Sequence, residues 1–252
     1  MMKNKKLGIY IHIPFCARKC NYCDFLSAPE TRETKERYLS LLDREMRLYK
    51  EIVSAREADT LFIGGGTPSF LETDLTDKLL CSVKKWIPSE NLKEFTIECN
   101  PNSVTEEKLN LYKEAGVTRI SLGMQSACDE ELKKLGRLHS VKEFEKTYEL
   151  VRKHGFERVN IDVMAAIPGQ TIESYKHNWN MLLDFPRSIF RLTALLLKRE
   201  HLFMKNTGKI LRWMRTQTGR CTILRKRSWG GMGITGMKYP IMPKKDRNVS
   251  TI

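Results

Sequence analysis

Between Leu7 and Leu183 the spacing of apolar residues switches repeatedly between the short runs of a buried strand and the three-to-four-residue recurrence of a helix. Leu7 to Ile13 is a β-branched apolar run that predicts a strand, and Thr31 to Ser54 carries Tyr38, Leu41, Leu42, Met46 and Leu48 at helical spacing. Ala58 to Ile63 predicts a short buried strand closed by Gly64-Gly65-Gly66-Thr67-Pro68-Ser69, with a helix from about Thr73 to Trp86. Strand Phe95–Cys99, helix Thr105–Ala115 and strand Arg119–Leu122 follow. Then come helices Asp129–Leu135 and Val141–His154, strand Arg158–Met164 and helix Ile172–Leu183. Strands and helices taking turns at this interval imply a parallel sheet, which right-handed crossovers close into a barrel or an open wound sheet. Ser103 or Thr105 is placed to cap the helix behind it, and Gly116 and Gly155 fall where helices should stop.

At 252 residues the chain makes one large α/β domain or two small ones. Its seven cysteines stand in a sequence with no apolar run long enough to cross a bilayer and no signal-peptide core after Met1-Met-Lys-Asn-Lys-Lys. That combination points to reduced thiols, metal chemistry and a cytoplasmic setting rather than a disulfide framework. The net charge of +14 is unevenly placed. Residues 187–252 hold 16 Lys and Arg against 2 Asp and Glu, which leaves 28 of each sign in residues 1–186. A basic tail ordinarily reads as a solvated or nucleic-acid-binding arm, but no recognition motif accompanies this one.

Chemistry collects where the predicted strands end. Directly after the first strand, Cys16, Cys20 and Cys23 form a C-x3-C-x2-C loop. Three soft thiolates can hold a [4Fe–4S] cluster by three of its irons and leave the fourth open. The spacing by itself also admits a zinc site, although structural zinc takes four closed ligands and neither His12 nor Asp24 completes the paired-knuckle pattern. The glycine triplet lets backbone approach a ligand closely, yet it lacks the Gly-Lys-Ser/Thr ending of a phosphate loop. Glu98 and Asp162 close apolar strands, where a lone acid is ordinarily a cap or half of a salt bridge. Gln125 could satisfy a buried backbone group, and Arg137 could be a surface charge. Cys81 reads as a small buried hydrophobe within a helix and Cys99 as a packing residue, while Cys128, His154, His177 and His201 have no partner at ligand spacing.

The C-x3-C-x2-C signature resembles the radical SAM superfamily. The longer string Tyr10-Ile-His-Ile-Pro-Phe-Cys16 to Tyr22-Cys23-Asp24-Phe25 is similar to its coproporphyrinogen III oxidase-like branch, and within that to the HemW-type heme chaperones. Ser121-Leu-Gly-Met-Gln125, Leu135-Gly-Arg137-Leu-His139 and Ile167-Pro-Gly-Gln170-Thr are further strings of that branch. The resemblance implies a partial (β/α)6 TIM-like barrel, with Cys16, Cys20 and Cys23 on a [4Fe–4S] cluster whose open iron chelates S-adenosylmethionine. Gly65, Gly66 and Thr67 match the segment that contacts the methionine amino group, and Tyr10, Tyr22, Glu98, Gln125, Arg137 and Asp162 fall on S-adenosylmethionine-contacting positions. By the same resemblance the chain uses an electron donor, and heme and a heme-accepting protein are its further partners. Decarboxylating oxidases carry one more cysteine beside the third ligand, where this chain has Asp24-Phe25, so the chaperone branch is favoured over an oxygen-independent coproporphyrinogen III oxidase.

The likeness runs from Tyr10 to Phe185 and stops. The branch continues with strings like HISAYSL, EGTPFY and YEISNYA, and none of them stands in the chain. Reading the codons of Met237 to Lys245 from one base earlier allows YEISNYAK; the same offset allows HISAYS across Ser188–Ala194 and GTPFY across Arg199–Met204. Three strings in order at one offset indicate that residues after about Phe185 are translated out of frame, which also explains why acids vanish there. The expectation is a radical SAM core over 1–186 ending after about five strands, followed by a non-native, poorly ordered basic tail over 187–252. The C-terminal part with which the branch is thought to hold heme is then missing. A basic nucleic-acid-binding protein and an inert fragment are the competing readings.

Overall fold

A computed structural model of the chain describes residues 6–56, 58–88, 92–185 and 188–194. Six strands, β1 (Leu7–Ile13), β2 (Ala58–Gly65), β3 (Glu94–Cys99), β4 (Arg119–Gln125), β5 (Arg158–Ala165) and β6 (Ser188–Ala194), stand in the sheet in sequence order. Helices α1 (Arg32–Ser54), α2 (Thr73–Trp86), α3 (Glu106–Glu114), α4 (Asp129–Leu135), α5 (Val141–Lys153) and α6 (Ile172–Leu182) occupy the crossovers. The alternation read from the sequence is therefore present, and the pairings β1/β2, β2/β3, β3/β4 and β5/β6 are parallel. No helix among the described residues is long and apolar enough to cross a membrane.

Two compact units divide the chain. The first takes in the described residues of Met1–Lys19, Phe25–Leu122 and Glu145–Arg158, and the second those of Cys20–Asp24, Gly123–Phe144 and Val159–Ile252. In the first, β1 shows one buried side at Ile11 and Ile13, whereas Leu61, Ile63, Phe95, Ile97 and Ile120 lie wholly inside. Near-continuous burial is what a parallel sheet covered on both faces requires. Register places His12 and Ile13 of β1 beside Gly64 and Gly65 of β2, and Glu98 of β3 beside Ser121 of β4. In the second unit Val159, Ile161, Val163 and Ala165 of β5 are buried.

The helix ends follow local chemistry. Thr31, Thr105 and Thr171 each accept the amide three residues on, capping α1, α3 and α6. Thr105 is thus the cap of α3, and Ser103 serves elsewhere. Gly116 and Gly155 have φ of 83° and 74°, as the end of a helix demands.

Four differences from the sequence reading have physical causes. β2 runs on through Gly65, because glycine remains in the ladder while a parallel neighbour, here Ile13 of β1, pairs with it, and β4 runs on to Gln125. Cys81 is exposed on α2, its thiol directed to Asp77; helical spacing alone does not tell a helix's outer face from its inner one. Asp162 lies within β5 rather than at its end. The sheet also extends one strand beyond the five or so expected. Ser188–Ala194 pairs with β5 at seven positions, Val159↔Ser188 to Ala165↔Ala194. The open edge of β5 offers a row of backbone donors and acceptors that any extended run of Ile, Phe, Leu and Thr can meet. Of the expected tail over 187–252 only this strand lies among the described residues.

Candidate functional site

In the first unit the loop after β1 is fixed from two sides. Phe15 bridges to Ala28, the Cys16 amide donates to the Ala28 carbonyl at 3.1 Å, and the Ala28 amide donates to Pro14 at 3.0 Å. From the end of β2 the Gly66 amide donates to Ile13 at 2.8 Å and the Thr67 amide to Phe15 at 2.7 Å, while the Thr67 hydroxyl lies 3.5 Å from the Cys16 sulfur. A Cβ on Gly66 would come 2.6 Å from the Phe15 carbonyl oxygen and 3.0 Å from that sulfur, so the position takes only glycine. The Gly65 amide donates to a Glu98 carboxylate oxygen at 3.1 Å. Tyr10 stacks on Phe62 and holds its hydroxyl 3.3 Å from His12 Nδ1; partial burial first, then the Glu98 charge, pushes that hydroxyl up to about 12. Tyr10, Cys16, Gly65, Gly66, Thr67 and Glu98 thus belong to one connected set.

In the second unit Cys20 to Cys23 forms a turn closed by the Cys23 amide on the Cys20 carbonyl at 3.1 Å. Asn21 anchors it to α4, its amide on the Leu135 carbonyl at 3.1 Å and its side chain on the Lys134 carbonyl at 2.9 Å. Tyr22 packs on Leu135, Met164 and Ile167. Burial is the largest cause that holds its hydroxyl protonated, and nearby Cys20 and Cys23 push the same way against the opposing Arg137 charge. Arg137 reaches the Cys20 sulfur with Nη1 at 3.9 Å and the Gly123 carbonyl with Nη2 at 2.9 Å, while its buried Nε has no hydrogen-bond partner. Gln125 ends β4 with a φ of 68°. Asp162 accepts from Asn160 at 3.1 Å and pairs with Arg191 Nε at 3.2 Å. Arg191 lies beyond the break in the sequence likeness, so the sequence reading did not anticipate this partner.

Among the described residues no three Cys, His, Asp or Glu side chains converge as the ligands of one metal ion. Soft thiolate donors suit an iron–sulfur cluster. The chemistry of the donors fits such a cluster: three uncrosslinked cysteines on one loop, with an arginine and its unsatisfied Nε beside the second. His12 Nε2, by contrast, donates to the Leu26 carbonyl at 3.0 Å and is engaged within the protein.

Some residues that shape the site had little signal in the sequence. Lys108 is buried and bonds the Ser69 carbonyl at 2.7 Å and the Ser103 carbonyl at 3.1 Å, tying the loops that follow β2 and β3. The Ser69 and Ser103 hydroxyls meet at 2.6 Å. His139 lies buried with Nε2 on the Met124 carbonyl at 3.2 Å, beside Gln125; only its place in the Leu135-Gly-Arg-Leu-His139 string marked it.

The chain matches the radical SAM superfamily over residues 10–178. It is 36% identical over 195 residues to the heme chaperone HemW of Bacillus subtilis (strain 168), covering 77% of this chain and 52% of that protein. To the heme chaperone HemW of Escherichia coli (strain K12) it is 38% identical over 174 residues, covering 69% and 46%. The solved structure of coproporphyrinogen III oxidase (HemN) from Escherichia coli, a radical SAM enzyme, superposes with a TM-score of 0.73 at 21% identity, over 84% of this chain and 52% of that one. This last likeness is one of fold. The chain spans about half the length of the curated relatives it matches.

Proposed function

Because the chain belongs to the radical SAM superfamily, we propose that it is the cluster-bearing portion of a cytoplasmic HemW-type heme chaperone. Cys16, Cys20 and Cys23 would hold a [4Fe–4S] cluster and leave one iron for S-adenosylmethionine. When bound and reduced, such a cluster supplies the electron that divides S-adenosylmethionine into methionine and a 5′-deoxyadenosyl radical. The observation that carries the reading is the Gly66–Thr67 turn pressed onto Cys16.

The remaining assignments follow from what each group still has to offer. The amides of Gly65, Gly66 and Thr67 all donate within the protein, so this turn presents carbonyl oxygens and the Thr67 hydroxyl, which suit an ammonium group. Arg137 keeps a buried, unpartnered N–H for a carboxylate. By the family resemblance Glu98, Gln125 and Asp162 would accept from ribose hydroxyls, with Tyr10 before the cysteine loop in the sequence and Tyr22 within it. Asp24 and Phe25 in place of a further cysteine favour the chaperone over the oxidase. In this reading the heme-holding segment belongs to the half of the relatives that this sequence does not match, and the electron donor and the recipient of heme are separate partners.

The test is anaerobic reconstitution with iron and sulfide, then dithionite and S-adenosylmethionine, with chromatography for 5′-deoxyadenosine. We expect product from the wild-type chain, none from Cys20→Ala, and no turnover of coproporphyrinogen by either. A wild-type chain that takes up iron but leaves S-adenosylmethionine intact in the presence of reductant contradicts the proposal.

A further inference from the structure

Gln125 and Ala166 are the two non-glycine residues with positive φ among the described residues, at 68° and 62°. Each directly follows or ends a strand, Gln125 at the end of β4 and Ala166 just after β5. At Gln125 the Ser126 amide donates back to the Met124 carbonyl at 2.9 Å, which makes a γ-turn of the rare, strained hand. Residues held this way are strained and persist only where the surroundings fix them.

What fixes both is one buried carboxylate. Glu131, on α4, is 4% exposed. One of its oxygens accepts from the Ser126 hydroxyl at 2.5 Å, from Gln170 Nε2 at 3.0 Å and from Asn178 Nδ2 at 3.4 Å; the other accepts from the Ser174 hydroxyl. Ser126 is the residue after Gln125. Gln170 reaches back with its own oxygen to the amide of Ile167, the residue after Ala166, at 3.4 Å. Asn178 adds a second hold, accepting from the Ala127 amide at 2.9 Å. On the far side of Gln125, the Met124 carbonyl also takes His139 Nε2 and the Gly123 carbonyl takes Arg137. All four of these hydrogen-bond partners of Glu131 are neutral donors. A buried charge held like this is a poor source of stability compared with an apolar side chain of the same size, and its use is to specify one geometry.

We propose that Glu131 is a positioning residue of the S-adenosylmethionine site, holding the left-handed ends of β4 and β5 so that Gln125 presents its amide to the nucleoside. The inference rests on the radical SAM reading; Glu131 itself touches no ligand. In Glu131→Gln the amide oxygen replaces the shared acceptor, and its NH2 faces the Ser174 hydroxyl, which turns to accept. In Glu131→Leu the buried donors Ser126, Gln170 and Asn178 and the half-buried Ser174 lose their acceptor at nearly constant volume.

The test compares the wild-type chain with Glu131→Gln, Glu131→Leu and the milder Ser126→Ala, which cuts the Glu131 link to the residue after Gln125 and also removes the acceptor of the Cys128 amide. Amide hydrogen exchange is measured on the cofactor-free chains. Iron per chain and equilibrium dialysis of labelled S-adenosylmethionine are measured after anaerobic reconstitution. For Glu131→Leu we expect about tenfold or faster exchange over 125–128 and 166–170 with β1 to β3 unchanged, wild-type iron, and about tenfold weaker S-adenosylmethionine binding. Glu131→Gln should stay within about threefold of wild type on every measure, since every donor keeps an acceptor. Ser126→Ala should weaken binding while leaving exchange over 166–170 unchanged. Wild-type affinity in both Glu131→Leu and Ser126→Ala overturns the proposal, and so does loss of iron and of exchange protection throughout Glu131→Leu together with normal binding in Ser126→Ala. A wild-type chain that takes up neither iron nor S-adenosylmethionine instead sinks the radical SAM reading, and this inference with it.

Discussion

Replacing Gly66 by alanine tests the seat of Cys16 with one methyl group. The added Cβ would stand 2.6 Å from the Phe15 carbonyl oxygen and 3.0 Å from both the Ile13 carbonyl oxygen and the Cys16 sulfur, where ordinary contact begins at 3.4 Å. Two of these three neighbours are backbone and cannot swing aside, so the turn must retreat by 3.4 − 2.6 = 0.8 Å from Phe15. That retreat stretches the 2.8 Å Gly66–Ile13 and 2.7 Å Thr67–Phe15 hydrogen bonds, which cross the same gap. Overpacking and the two weakened hydrogen bonds together cost about 3 kcal/mol. Gly66 has no positive φ, so none of this is conformational strain. Gly116→Ala is the converse, with φ of 83° and nothing within 4 Å of the new Cβ, and should cost about 1 kcal/mol through the backbone alone. Urea unfolding followed by circular dichroism gives both costs, and iron per chain after anaerobic reconstitution gives the consequence. We expect Gly66→Ala to lose most of its iron and Gly116→Ala to keep it. Equal stability and equal iron in the two variants would refute the argument that the Gly66 turn shapes the cysteine loop.

Further outcomes follow from the same contacts. Burial first, then the Arg137 charge, lowers His139 from 6.5 to about 4, so the folded chain favours the neutral ring: the associated stability is complete above pH 6.5 and drains as pH falls toward 4. Between pH 7 and pH 5 this amounts to about 2 kcal/mol, and urea unfolding of His139→Gln at the two pH values should show a correspondingly smaller loss than wild type; equal losses would exclude His139 as the source. Lys108→Met strips the charged donor from the Ser69 and Ser103 carbonyls and should lower stability by about 2 kcal/mol in the same assay, less than a lone hydrogen-bond count suggests because a buried charge goes with it. Arg191→Ala removes the β6 partner of Asp162 and should cost about 1 kcal/mol; no change would mean that β6 is not tied to β5 through this pair.

Much of the fold could be read from spacing alone, because a switch between strand and helix periods is a property of neighbouring residues. Thr31, Thr105 and Thr171 each cap a helix by reaching three residues ahead, and Gly116 and Gly155 end helices by their own φ. Cys81 was misread because its helical position fits either face until the packing partner is known. Asp162 lies inside β5 with Arg191 as its partner, a relation that depends on a strand more than twenty residues later. β6 itself forms where the family-like sequence had already ceased, since pairing to an open edge makes few demands on side chains. Among site residues, the motif strings supplied Cys16, Gly66 and Arg137. They gave no sign of Glu131, whose donors Ser126, Gln170, Ser174 and Asn178 come together only through folding. Sequencing the gene from the codons for Asp184 onward addresses the proposed change of frame, whether it is a lesion or a sequencing error: HISAYS-, GTPFY- and YEISNYAK-like strings together in one neighbouring frame support it, and their absence from that frame removes it.

The claim on which the rest depends is that three sulfurs bind an iron–sulfur cube and leave one corner for a ligand. Electron paramagnetic resonance of the dithionite-reduced, reconstituted chain, recorded before and after adding S-adenosylmethionine, examines it most directly. The account predicts a [4Fe–4S]⁺ signal whose g-values move when the ligand is added, absent from Cys16→Ala, Cys20→Ala and Cys23→Ala alike. A signal that ignores S-adenosylmethionine, or one that survives loss of any of the three cysteines, would contradict it.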